Sequence, residues 1–200
     1  MRLVHYLLAG VFLFVLAWSA HDNAGAFIWA LEAGPGILGA IVLALSYKKF
    51  RFTTLTYSFI LIHCIILFVG AKYTYAEVPL FNWLRDALEM SRNNYDKIGH
   101  FAQGFVPAMI AREILIRLNV INGRKWLQFF VVCFCLAVSA FYELLEWFVA
   151  AATGEAADAF LGTQGYIWDT QSDMLLALTG ACSMLVVLSR AQDRAINRRQ

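Results

Sequence analysis

Three short stretches of the chain set ionisable side chains one helical turn apart. Tyr95-Asp96-Lys97-Ile98-Gly99-His100-Phe101-Ala102-Gln103 carries Asp96, His100 and Gln103 at spacings of four and three, so a helix beginning near Tyr95 shows all three on one face. Tyr142-Glu143-Leu144-Leu145-Glu146-Trp147 stacks two more carboxylates a turn apart near the end of an apolar run. Gly162-Thr163-Gln164-Gly165-Tyr166-Ile167-Trp168-Asp169-Thr170-Gln171-Ser172-Asp173 brings Asp169 and Asp173, four apart, to the start of another. Acids in apolar surroundings are costly, and they repel one another unless a cation or a proton is shared among them. Hard oxygens with one imidazole suit a divalent metal ion, for which His100, Glu143, Glu146 and Asp173 are the expected ligands. Asp96, His100, Glu143, Glu146, Asp169 and Asp173 together form the candidate catalytic set, with Asp169 placed as general base toward a lipid or lipid-linked head group.

Each of these residues also has a plainer role open to it. Asp169 or Asp173 can cap the last helix and favour its dipole. Glu146 can pair with Lys97, His100 can be a hydrogen-bonded core histidine, and Gln103 can bond helix to helix. Trp147 and Trp168 fit an aromatic belt at the membrane interface. His63, alone in an apolar run, reads as structural, and Arg112, Glu113 and Arg117 read as an interfacial cluster with Glu113 one turn before Arg117. No phosphate-binding Gly-rich loop, zinc-binding His-Glu-x-x-His or nucleophile elbow occurs.

The elements that must position these residues are membrane spans. A chain that is 60% hydrophobic and 15% charged is too apolar for a soluble domain, and 200 residues make one integral membrane domain, residues 1–200. Apolar runs at about 3–20, 26–47, 55–71, 98–118, 126–150 and 173–189 predict an all-α protein of six transmembrane helices, each near the ~20 residues that cross ~30 Å of hydrocarbon. Glu32 and Gly34-Pro35-Gly36 predict that the second run is broken in its outer part. Pro107, Arg112, Glu113 and Arg117 interrupt the fourth, which is either a helix with snorkelling arginines or a re-entrant segment. The connection from Lys72 to Lys97 holds a short amphipathic helix opening at Pro79, which either lies in the head-group region or packs over the bundle.

Charge orients the whole. Twelve of the 14 acids fall on one side of the runs and twelve of the 16 Lys and Arg residues on the other, which places both termini in the cytoplasm and the candidate site at the extracytoplasmic face. The first run also has the shape of a signal peptide, with Ala17 and Ser19 before a cleavage point, without consequence for the orientation of the rest. The net charge of +2 and the absence of a basic stripe give no nucleic-acid partner. Cys64, Cys133, Cys135 and Cys182 all lie in apolar runs and read as packing residues.

At these motifs the chain resembles the YjdF-like family of bacterial inner-membrane proteins, a domain of unknown function. The resemblance runs from Thr74-Tyr75-Ala76-Glu77-Val78-Pro79 through Asp96-Lys97-Ile98-Gly99-His100-Phe101, Ala111-Arg112-Glu113-Ile114-Leu115 and Tyr142 to Trp147, and on to the stretch from Gln164 to Met174. It implies an inner-membrane location and supplies no activity. More distantly, Asp96, Lys97, His100, Phe101, Glu143, Glu146, Asp173 and Gly180 resemble the pattern of VanZ-like membrane proteins, associated with glycopeptide-antibiotic resistance. Ala177 stands where that pattern expects Asn, and the Arg expected shortly before the last Asp is missing. Three classes of function follow. The first is a membrane scaffold or a protein that binds a lipid or envelope component. The others are an outer-leaflet enzyme acting on a head group through a divalent metal ion or a shared proton, and a small transporter. The bilayer is the one partner the sequence fixes; the oligomeric state is not written in it.

Overall fold

A computed structural model describes residues 3–153 and 163–198; Gly162 of the third motif, Arg2 and Arg199 fall outside them. The described residues form eight α-helices, which we number α1 (Leu3–Ala20), α2 (Ala26–Ser46), α3 (Thr54–Tyr73), α4 (Pro79–Ala87), α5 (Tyr95–Arg117), α6 (Arg124–Thr153), α7 (Asp169–Val187) and α8 (Ser189–Asn197), with a 3-10 turn at Tyr75–Glu77. The ends follow local chemistry. The Thr53 hydroxyl caps α3 by accepting the Thr56 N–H, and Pro79 opens α4 where its missing N–H leaves nothing unsatisfied. Asp96 in the first turn of α5 and Arg117 in its last complement the helix dipole.

Helices α1, α2, α3, α6 and α7 are long and apolar enough to cross a membrane. Their outward side chains, such as Leu13, Phe14, Val42, Phe141 and Val186, are exposed large apolar groups suited to lipid. The fourth expected span is α5, which at 23 residues has the length but is too polar to count with the other five. The reason is its position. It packs on α3, α6 and α7, and twelve of its 23 residues are buried, so its polar groups face protein. It is not re-entrant, because its two ends meet different ends of α3: the Tyr95 hydroxyl donates to the Ile66 carbonyl, and the Glu113 carboxylate accepts from Thr53.

The expected break in α2 is absent. The helix runs through Gly34-Pro35-Gly36 without interruption. Proline removes one helical hydrogen bond but need not end a helix whose flanking turns are packed, and here Ala33 is fully buried and Gly36 lies against the Phe68 ring of α3.

Among the described residues a very close seam joins α5 to α7. A Cβ added at Gly104 would stand 1.7 Å from the Ala177 carbonyl oxygen, and one at Gly180 would stand 2.1 Å from that of Phe101. Small residues let the two backbones touch, which is how helices associate where lipid offers no hydrophobic drive. Beneath the seam Ala108, Met109, Val131, Cys135, Ala181 and Met184 form a fully buried apolar layer of α5, α6 and α7. Helix α4 has no buried residue and exposes Leu80 and Trp83, while Phe81 meets the Tyr95 ring edge-on at 5.3 Å. It therefore touches the bundle on one side and leaves apolar side chains on the other.

Candidate functional site

The parallel start of α5 and α7 determines where the charges meet. Asp96, His100 and Lys97 occupy the first turns of α5, and Asp169, Ser172 and Asp173 those of α7. His100 Nε2 lies 3.2 Å from Asp96 Oδ1 and 3.9 Å from Asp173 Oδ2, and its Nδ1 lies 3.1 Å from Gln103 Oε1 and 3.7 Å from Glu143 Oε1. The face read from the spacing of Asp96, His100 and Gln103 is thus a set of contacts. Glu143 reaches the imidazole from α6.

Two cations that the spacing of the acids does not place complete this network. Arg92, just before α5, is buried, donates to Asp169 and sits 3.7 Å from Asp96. Lys97 Nζ lies 3.2 Å from Asp173, 3.5 Å from Asp169 and 2.9 Å from the Ser172 hydroxyl, so the expected partner Glu146 is not the residue that holds it. Asp169 is clamped between these two cations, an arrangement that suits a structural counter-ion better than a general base. The 163–168 loop is fastened to the same corner, since Gln164 accepts from the Asn93 N–H and donates to the Asn93 carbonyl, each at 2.9 Å. Arg92 stands four residues before Asp96, a helical spacing that carries its signal in the sequence.

Among the described residues one trio, Asp96, His100 and Asp173, has ligand atoms that all lie within 4.8 Å of one another. Glu143 and Glu146, expected as ligands, are not part of it. The trio has the donor types of a metal site, but Arg92 and Lys97 already share its aspartates. Two fixed cations face three aspartates, and the imidazole of His100 covers the third.

Deeper in the bundle, between α2, α3, α5 and α6, lies a cavity of about 170 Å3. Asp96, His100 and Gln103 form its roof. Glu32 of α2 and Glu146 of α6 contribute carboxylates, and Tyr142 adds a ring. His63 and Leu67 come from α3, and Pro35, Pro107 and Val138 close the apolar side. Glu32 is 2% exposed and neither of its carboxylate oxygens has a hydrogen-bond partner. His63 Nε2 and Glu143 Oε1 are likewise buried without a hydrogen bond, the second facing His100 Nδ1 at 3.7 Å. Glu32 and His63 therefore belong to the site, although sequence context alone makes the first a defect in a span and the second structural. Glu32 does carry a signal, because an acid in a lipid-spanning run is seldom idle.

Tyr75 closes the cavity at its membrane-surface end. Its ring is wedged between α3 and α5, where a Cβ at Gly70 would stand 2.4 Å away and one at Gly99 2.8 Å away. Thr74, immediately before it, is held at φ 62 and ψ 147, a region almost confined to glycine that costs a β-branched residue ~1–3 kcal/mol. Burial pushes the Tyr75 hydroxyl well above the usual phenol range, with the neighbouring Tyr142 and Glu32 adding to the effect.

The family described as "Predicted membrane protein (DUF2238)" matches residues 4–194. The "Inner membrane protein YjdF" of Escherichia coli (strain K12) is 48% identical over 180 residues, covering 90% of this chain and 85% of that protein. No solved structure matches.

Proposed function

The chain belongs to the DUF2238 family of predicted membrane proteins and is a multi-pass inner-membrane protein, and from that premise we propose that it is a binding protein, holding a lipid or envelope component in the cavity between α2, α3, α5 and α6. One observation carries this reading. Glu32 is buried, aimed into a cavity, and left without a hydrogen-bond partner. An unpaired carboxylate in such surroundings costs several kcal/mol, so a fold that keeps it is completed by something that enters. Binding rather than catalysis is favoured by the state of the other acids: Asp169, the expected base, is held by Arg92 and Lys97. The cavity faces the extracytoplasmic side in this reading, because the basic residues lie toward the other end.

Native mass spectrometry of the full chain released from membranes in mild detergent tests the proposal. The wild type should carry a non-covalent adduct that Val138→Phe, which fills the cavity, lacks; a wild type without adduct would contradict it. Orientation is checked by a reporter active only outside the cytoplasm, which should work when fused after Gly162 and fail after Gln200. The Asp96, His100 and Asp173 trio favours a second reading, a divalent-ion centre of a head-group hydrolase. Stoichiometric metal in the purified protein, lost in Asp173→Asn, is its test.

A further inference from the structure

We propose that the ligand of the cavity is a protonated primary amine, with the Glu32 carboxylate as its counter-ion and the rings of Tyr75 and Tyr142 as part of its walls. This rests on the binding reading above and adds the chemical class of what is bound. Among the described residues no Lys or Arg lines the cavity, whereas three carboxylates do, those of Glu32, Asp96 and Glu146. Asp96 is committed to His100 and Arg92, but Glu32 has both oxygens free of any hydrogen bond. A phosphate or carboxylate ligand would meet three acids there and, of basic groups, only the imidazoles of His63 and His100, the second already held by Asp96. A cation would be drawn in.

The kind of cation follows from the rest of the lining. About 170 Å3 is several times the ~30 Å3 that one water occupies, so a bare metal ion would leave most of the space empty. Leu67, Pro35 and Val138 offer no ligand atoms to a metal but suit a short alkyl stem. Aromatic faces attract ammonium groups, as tyrosine-lined cages do. Oxygen acceptors are in surplus. Pro107 has no N–H to offer the helix, and it lines the cavity beside Gln103. The two Glu32 oxygens offer acceptors to the N–H donors of a primary ammonium, which a quaternary ammonium does not have.

The ammonium has two sources, the head group of an aminolipid or a free amine. Thermal unfolding of the purified full chain separates them. In detergent with phosphatidylglycerol as the only lipid, ethylammonium chloride should raise the Tm saturably, by about 5 °C at a hundredfold excess over Kd, while equal ionic strength as NaCl should not. Nanodiscs of phosphatidylglycerol alone are then compared with nanodiscs that include phosphatidylethanolamine. A rise with ethylammonium identifies a free-amine site, and a rise confined to the phosphatidylethanolamine discs identifies a head-group site; either upholds the amine. Glu32→Gln should weaken the response at least about tenfold, and Glu146→Gln, which changes the opposite wall, supplies the same readout if Glu32→Gln does not fold. The amine is overturned if neither arm shifts the Tm, if MgCl2 does so and amines do not, or if Glu32→Gln responds like the wild type. An adduct that Val138→Phe abolishes but ethylammonium and phosphatidylethanolamine leave untouched would overturn the amine alone and leave the binding reading standing.

Discussion

Glu113 and Glu32 are both fully sequestered acids within membrane helices, and they live in opposite circumstances. Glu113 is 0% exposed and every lone pair is in use: Oε1 accepts from the Thr53 N–H at 2.8 Å and from Arg117 at 3.0 Å, and Oε2 from the hydroxyls of Thr53 at 2.9 Å and Thr56 at 2.7 Å. Beside it, Gln192 of α8 ties Arg112 to the Met109 carbonyl. Glu32, near the other end of the bundle, has no hydrogen bond. The comparison teaches that burial of a charge is not in itself a mark of function. A satisfied network fastens helices, as Glu113 fastens α5 to the start of α3; an unsatisfied one waits for a partner. Glu113 meets α3 at Thr53, whereas Glu32 shares its cavity with Leu67 and Tyr75 toward the other end of that helix, so the two acids belong to separate networks.

The largest effect is expected where the satisfied network is cut. Glu113→Gln removes the charge that Arg117 and two threonines serve, and should lower unfolding stability by about 3 kcal/mol, read by thermal or denaturant unfolding in detergent. A loss within error would show that the clamp is dispensable and erase the contrast. The seam between α5 and α7, which brings Lys97 and His100 to Asp173, is next. Gly104→Ala forces a methyl into the Ala177 carbonyl, and since backbone on both sides must move, a cost of ~1–3 kcal/mol is expected in the same assay.

Much of this arrangement is legible in the order of residues alone. Apolar runs and the basic residues at their ends mark five spans within a few residues, because lipid imposes length and composition directly. The shared face of Asp96, His100 and Gln103 follows from helical period. What period cannot give is which helices are neighbours. The Glu32 cavity is assembled from α2, α3, α5 and α6, and no local spacing joins Glu32 to Glu146 or His63. For the same reason α5 resembles a defective span, since polar residues are defects only toward lipid and α5 is enclosed by three helices. Lys97 finds Asp169 and Asp173 rather than Glu146 because α7 starts beside α5, a proximity that no spacing within either helix encodes.

Smaller effects are expected at the unsatisfied end. Glu143→Gln should leave stability unchanged or raise it slightly, by ~0–1 kcal/mol, because Glu143 Oε1 has no donor to lose and other acids crowd the same corner. Differential scanning fluorimetry at neutral pH checks it, and a clear fall in Tm would place Glu143 among the structural ion pairs.

The contrast is tested most directly by unfolding Glu32→Gln and Glu113→Gln side by side, in the same detergent and without added ligand. Both changes replace one buried carboxyl by an amide and keep the side-chain shape. If one acid clamps the fold and the other awaits a ligand, Glu113→Gln melts well below the wild type while Glu32→Gln melts at or above it. Equal losses in the two variants would contradict this, and would make Glu32 a second structural anchor.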